Sequence, residues 1–246
     1  MKTKINVPAI GGYYGGKASM VAKILPHFPR LYCRTLVSPF AGFASLELAT
    51  DTDHLVLADI NPATVAALKA IRDNPEWLIE SLMDAPWGRD FFASIKRDRC
   101  NLAIAAIAFS AMAHHRGGSL SGFSQQQCDR AARRDWSHLL RVSERLQGAR
   151  IRCQDFRKSF AQAVTDSMIY LDPPYLDGGQ YYQHTMSEQD HHDMLTLAKR
   201  HDGPVAISGY DSELYLEQLH GWRRVEFVSQ NAQREKRTEV LWMNYP

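Results

Sequence analysis

The sequence predicts an α/β fold: a mostly parallel sheet, interrupted by a helical insertion and closed by an antiparallel pair of strands. Three observations carry this. Short apolar runs ending in an acid or a tight turn alternate with stretches of helical periodicity, the rhythm of parallel strands joined by crossovers. That rhythm stops at Pro75 and resumes at Ile151. The last two apolar runs, 224–229 and 238–245, alternate in polarity as antiparallel neighbours do.

Residues 5–10 contain Pro8 and make a poor central strand. Residues 35–42, TLVSPFAG, read as a buried strand ending in a tight turn, and 44–50 as a helix. Residues 54–60 form a second apolar run that reaches Asp59, and Pro62 suits the first turn of a helix ending near Asn74. From 75 to 148 the pattern is helical, with one polar, glycine-rich break at 114–122 that suggests a hairpin. Strands follow at 151–155 and 167–171, the second running into Asp172-Pro173-Pro174-Tyr175. Ser187 is placed to cap a helix to about Arg200, and a strand at 204–208 precedes a helix at 211–220. Residues 1–74 and 151–246 therefore read as one domain, and 75–150 as its insertion.

Of the 246 residues, 45% are hydrophobic and the net charge is +2, so the chain is globular and any nucleic-acid face must be local. No secretory signal and no bilayer-spanning run is visible. Cys33, Cys100, Cys128 and Cys153 lie far apart without a C-x-x-C pair, which argues for reduced thiols in a cytoplasmic protein and against a zinc or disulfide framework. His114-His115 and His191-His192 are adjacent pairs that do not share a helix face, so no metal site is expected. The five tryptophans are read as core or interface fillers, and nothing marks a dimer seam, so a monomer is expected. The stretch 11–20, GGYYGGKASM, nearly spells a phosphate-binding loop, but Ala18 lacks the hydroxyl that such a loop needs for Mg²⁺.

Asp172-Pro-Pro-Tyr175 carries the chemistry. Open α/β sheets bind ligands beyond the carboxyl ends of their strands, which is where this motif falls. Two prolines stiffen the turn, so the Asp172 carboxylate and the Pro173 carbonyl point in set directions beside the Tyr175 ring. One carboxylate, one carbonyl and one aromatic face suit an exocyclic amine on a planar base. The two acceptors draw the amine toward tetrahedral geometry and free its lone pair for attack on an electrophilic methyl group. Stacking on the tyrosine is worth about 1–3 kcal/mol. Neither a metal nor a histidine base is required.

With Gly15-Gly-Lys17, Pro39-Phe-Ala-Gly42, Leu57-Ala-Asp-Ile-Asn61, Gln154-Asp-Phe156 and Asp190-His191, and the closing stretch 237–245, the chain resembles the Dam-like N6-adenine DNA methyltransferases. The resemblance covers most of the chain. It implies a Rossmann-like methyltransferase sheet and S-adenosylmethionine as cofactor. Asp59 would accept from the cofactor's ribose hydroxyls. Pro39, Phe40 and Gly42 would let backbone approach its methionine part, with Gly16 and Lys17 near the carboxylate and Tyr13 beside them. Asp155 would meet its adenine amine, and Phe156 would pack on that ring. Asp172, Pro173, Pro174 and Tyr175 would hold the target adenine. One position departs: the family usually carries an acid where this chain has Ser38, and a serine cannot balance the cofactor's positive charge.

Double-stranded DNA is the expected partner. Residues 96–150 hold ten Lys/Arg and four Asp/Glu, a local net of +6 in a chain whose total is +2. Arg116, Arg130, Arg133 and Arg134 are the candidate DNA contacts, with Gln125–Gln127 able to read base edges. Residues 223–238 read either as a second backbone contact or as a polar hairpin loop. Tyr181 and Tyr182 either line the pocket of the flipped base or only pack. An RNA adenine-N6 methyltransferase, or a catalytically inert DNA-binding relative, is the alternative reading. A cytosine-N4 enzyme is disfavoured, because serine would then be expected at Asp172. Neither the target sequence nor a role in restriction–modification follows from the residues.

Overall fold

The computed structural model describes residues 8–11, 16–29, 34–97, 101–116, 119–164, 167–176, 185–230 and 236–246. Strands β1 (Thr35–Ser38), β2 (His54–Asp59), β5 (Arg150–Cys153), β6 (Met168–Leu171), β7 (Val205–Gly209), β8 (Arg223–Gln230) and β9 (Lys236–Met243) form a seven-stranded sheet ordered β5-β2-β1-β6-β7-β9-β8. The first five run parallel. β9 is antiparallel to β7 and β8 antiparallel to β9, as the alternating C-terminal runs predict. A separate hairpin pairs β3 (Ala113–Arg116) with β4 (Ser119–Phe123), at the glycine-rich break. Every residue of β6 and β7 is buried, which accounts for unbroken apolar runs in place of alternation.

The helices follow from local signals. α1 (Val21–Ile24) is a single turn after the 3₁₀ turn at Lys17–Ser19. α2 (Pro62–Asp73) starts with Asn61 accepting from the Ala63 amide and with Pro62 in the first turn. α3 (Pro75–Met83), α4 (Arg89–Arg97), α5 (Leu102–Met112), α6 (Gln125–Ala132) and α7 (His138–Leu146) make up the helical stretch before β5. α5 and α7 pack on α2 and share one core with β1 and β2, through Ile107, Leu139, Val142 and Leu68. Trp136 is buried and stacks on Trp87, and Trp242 is buried too, whereas Trp77 is exposed. α8 (Phe156–Ala161) is capped by Asp155, and α10 (Glu213–Gln218) by Ser212. α9 (Glu188–Arg200) carries a capping box in which Ser187 and Asp190 bond each other's backbone amides.

One element differs from expectation. Residues 44–50 are not a helix: they hold turns and a 3₁₀ turn at Glu47–Ala49. Ala44 stands at φ 53°, in the left-handed region, and breaks the helical path that the apolar spacing suggests. No helix among the described residues is long and apolar enough to cross a membrane. Cys128 is buried and Cys153 exposed, while Cys33 and Cys100 lie outside the described residues.

Behind β6, the buried His191 of α9 meets the Tyr215 hydroxyl of α10 at 2.9 Å. Burial brings the imidazole down to about 4, with Asp190 and Glu188 pulling weakly the other way and His192 adding to the drop. An unfolded chain takes up a proton near the ordinary value of 6.5 that the fold refuses. This component of stability is complete above that value and is lost as pH falls from 6.5 through 4. We expect His191→Gln to flatten the pH dependence of the urea midpoint across that window, relative to the unsubstituted protein.

Candidate active site

The carboxyl ends of β1, β2 and β6 open onto one cavity of about 850 Å³, within the range of small-molecule sites. Of the residues that sequence reasoning singled out, Gly16, Lys17, Pro39, Phe40, Gly42, Asp59, Asp155, Phe156, Asp172 and Pro174 all line it. Tyr13 lies outside the described residues, as do Gly117, Gly118, Tyr181 and Tyr182. Pro173 is buried beneath the turn. Tyr175 does not line this cavity; it borders a small neighbouring cleft with Gly209 and Tyr210, its ring edge-on to Tyr210 at 4.5 Å.

The loop from Pro39 to Ala44 folds over the end of β2. Gly42 at φ 49° and Ala44 at φ 53° turn the backbone sharply, and the Ala41 amide bonds the Ala58 carbonyl at 2.9 Å. This brings the Gly42 amide to 2.9 Å from Asp59 Oδ2, while the Asn61 amide donates to Oδ1 at 2.8 Å. Two backbone donors thus aim the Asp59 carboxylate at the end of β2. At the far wall Phe40 and Phe156 lie 5.6 Å apart, and Arg157 covers the outer face of Phe156. Arg157 also bonds Asp190 and Asp193 and holds the Asp190 carboxyl down at about 2.

Asp172, just past β6, is the hub. Lys17 Nζ donates to its Oδ1 at 2.7 Å, and Ser208 Oγ at 2.9 Å. With the Ser208 proton committed there, Tyr170 OH donates to Ser208 at 2.9 Å, giving a chain from Tyr170 through Ser208 to Asp172. Lys17 Nζ also donates to Tyr175 OH at 2.7 Å and stands 3.8 Å from Glu239 of β9. Burial disfavours the ammonium, yet the carboxylates of Asp172 and Glu239 more than offset it and raise its pKa. Burial likewise lifts Glu239, against the pull of Lys17. The lysine that the sequence suggested for a cofactor carboxylate is therefore already engaged by two carboxylates of the protein, although it does line the cavity.

Sequence reasoning missed Tyr170, Ser208, Glu239 and Glu47. Ser208 is a polar residue in a strand that otherwise reads as apolar, Glu239 an acid at the border between the polar and apolar halves of β9, and Glu47 a lone acid in the run 46–49, LELA. That interruption was the available signal. Among the candidate DNA contacts, Arg116 ends β3, Arg130 sits in the last turn of α6, and Arg133 and Arg134 follow it. The last three are exposed, with Arg134 over the Trp136 ring at 5.0 Å.

Residues 13–235 match the family described as D12 class N6 adenine-specific DNA methyltransferase. The chain belongs to that family. Among its relatives is a DNA adenine methylase of Vibrio cholerae, 27% identical over 178 residues, a match that takes in 65% of this chain and 62% of that protein, under two thirds of its length. A DNA adenine methylase of Escherichia coli is 24% identical, with 94% of this chain and 92% of that protein covered. One of Serratia marcescens is also 24% identical, with 81% and 82% covered. In this D12-class chain the strand-end acids Asp59 and Asp172, the turn after β1 and Pro174 thus occur together around one cavity, with Tyr175 in the neighbouring cleft.

Lys17→Met would leave Asp172 and Glu239 facing each other in a poorly hydrated site. We expect it to lower folding stability by about 3–5 kcal/mol in urea titrations, the scale of breaking a buried ion pair. Adding Glu239→Gln should recover part of that loss.

Proposed function

We propose that this chain transfers a methyl group from S-adenosylmethionine to the exocyclic amine of an adenine in duplex DNA. One observation carries the reading: the Asp172 carboxylate lines the cavity, and among the described residues its hydrogen bonds all fall on Oδ1, which leaves Oδ2 to an amine. Membership of the D12 class and relatives named DNA adenine methylase support it.

The residues present suit the cofactor. Asp59, aimed by two amides, would accept from the ribose diol; Asp155 and Phe156 would take the adenine end; Pro39, Phe40, Gly42 and Gly16 would border the methionine part, with Tyr13 expected beside it. When bound, S-adenosylmethionine supplies a methyl group on a positively charged sulfur. Asp172 and the Pro173 carbonyl would accept the two N–H bonds of the target amine and draw its lone pair out of conjugation. That lone pair would be free to take the methyl group that the bound cofactor would supply, with the neutral thioether as the leaving group. The surplus N6 proton then passes to Asp172 and on to water. Lys17 and Ser208 hold the carboxylate in orientation throughout. Tyr175 would stand beside the incoming base.

A paired base cannot reach this cavity, so the adenine would be turned out of the duplex at a cost of about a few kcal/mol. We assign the insertion, 75–150, to DNA recognition. Arg116, Arg130, Arg133 and Arg134 would contact the backbone, which makes binding weaken steeply with salt. Labelled-methyl transfer to double-stranded DNA, single-stranded DNA and RNA tests the reading. We expect label in adenine of DNA, and transfer to RNA alone would overturn it. Asp172→Ala should cut transfer by about 10²–10³-fold while cofactor binding persists.

A further inference from the structure

Glu47 is a buried acid in the wall of the cavity. It is 3% exposed and lies in the turn that follows the Pro39–Ala44 loop. Its Oε1 accepts from Ser38 Oγ at 2.6 Å, a bond that an amide oxygen would accept equally well. Among the described residues no lysine or arginine stands within ion-pair distance of it. The charged and titratable groups that face it are Asp172 after β6, Lys17 before α1 and Tyr170 on β6. Burial pushes the carboxyl up to about 7; the Ser38 bond works against this, Asp172 adds repulsion, and Lys17 offsets a little. A carboxylate held at such a disadvantage in a cavity wall is the mark of a group kept for a ligand.

The neighbour that holds it, Ser38, is the last residue of β1, a buried strand end without a charge of its own. We propose that Glu47, oriented by Ser38, accepts the α-ammonium of S-adenosylmethionine and supplies the negative charge that Ser38 does not. The proposal rests on the cofactor reading above. It also explains the position of the residue: the carboxylate arrives from nine residues downstream yet touches the strand end itself.

The test uses the full chain without cofactor and the variant Glu47→Gln, which keeps the bond to Ser38 and removes only the charge. Calorimetric titrations compare S-adenosylhomocysteine, which has the ammonium but a neutral sulfur, with 5′-methylthioadenosine, which has neither charge. We expect the variant to bind S-adenosylhomocysteine about tenfold or more weakly, and 5′-methylthioadenosine within about twofold of the unsubstituted protein. Thermal unfolding supplies a second readout. The folded carboxyl is raised, so its ionisation costs stability as pH climbs from 4.5 through 7. The variant should therefore unfold at a higher temperature than the unsubstituted protein above that window and at the same temperature below it. Unchanged affinity for S-adenosylhomocysteine, or an equal loss for both ligands with lowered stability, would overturn the proposal. An unsubstituted protein that bound S-adenosylmethionine and neither analogue differently from the variant would sink it alone; one that bound none of the three would sink the cofactor reading with it.

Discussion

The ion pair between Lys17 and Asp172 ties this site together. It joins a residue near the start of the chain to the end of a central strand across 155 positions, and it draws in Glu239 from β9. A lone ammonium in that place would face a desolvation penalty of several kcal/mol, and so would either carboxylate. Each is tolerable only because the others are there. The placement of the short 3₁₀ turn at Lys17, the turn after β6 and the register of β9 are consequently coupled. A shift in any one strands a charge.

Sheet topology explains why the pair borders a cavity. β1 and β6 are neighbours, but the chain leaves β1 for β2 on one side and leaves β6 for β7 on the other. Connections diverge at that point and leave a crevice at the strand ends. Asp59 and Asp172 flank it, and the Pro39–Ala44 turn roofs part of it. The buried strands supply rigidity from below, so carboxylates at their ends inherit fixed positions without a long supporting loop.

Much of this was legible in the residues. Strands buried on both faces announce themselves as short unbroken apolar runs, and the Asp172 motif stood at the end of one. Ser187 marked a helix start by its capping chemistry, and Pro62 by its fit to a first turn. What stayed hidden was relational. Nothing local in Gly16-Lys17 says that its ammonium will meet acids 155 and more positions away. The 44–50 stretch looked helical because apolar spacing does not reveal that Ala44 adopts a left-handed backbone angle. Glu47 and Ser208 were passed over because a polar residue in an apolar run usually means surface, whereas both are interior.

The hairpin β3–β4 and α6 hang between α5 and α7, and the chain re-enters the sheet only at its edge strand, β5. α5 and α7 are docked on α2, so they anchor both ends of this excursion. Lengthening a loop whose ends are already fixed costs only about 0.6 kcal/mol per doubling. The tolerance lies in its loops: length can be added there at small cost, while Ala113, Cys128 and Ala131 keep the hairpin and α6 packed in the core beside α5. A lineage could vary the loops of such a segment while the side chains at the strand ends keep their places.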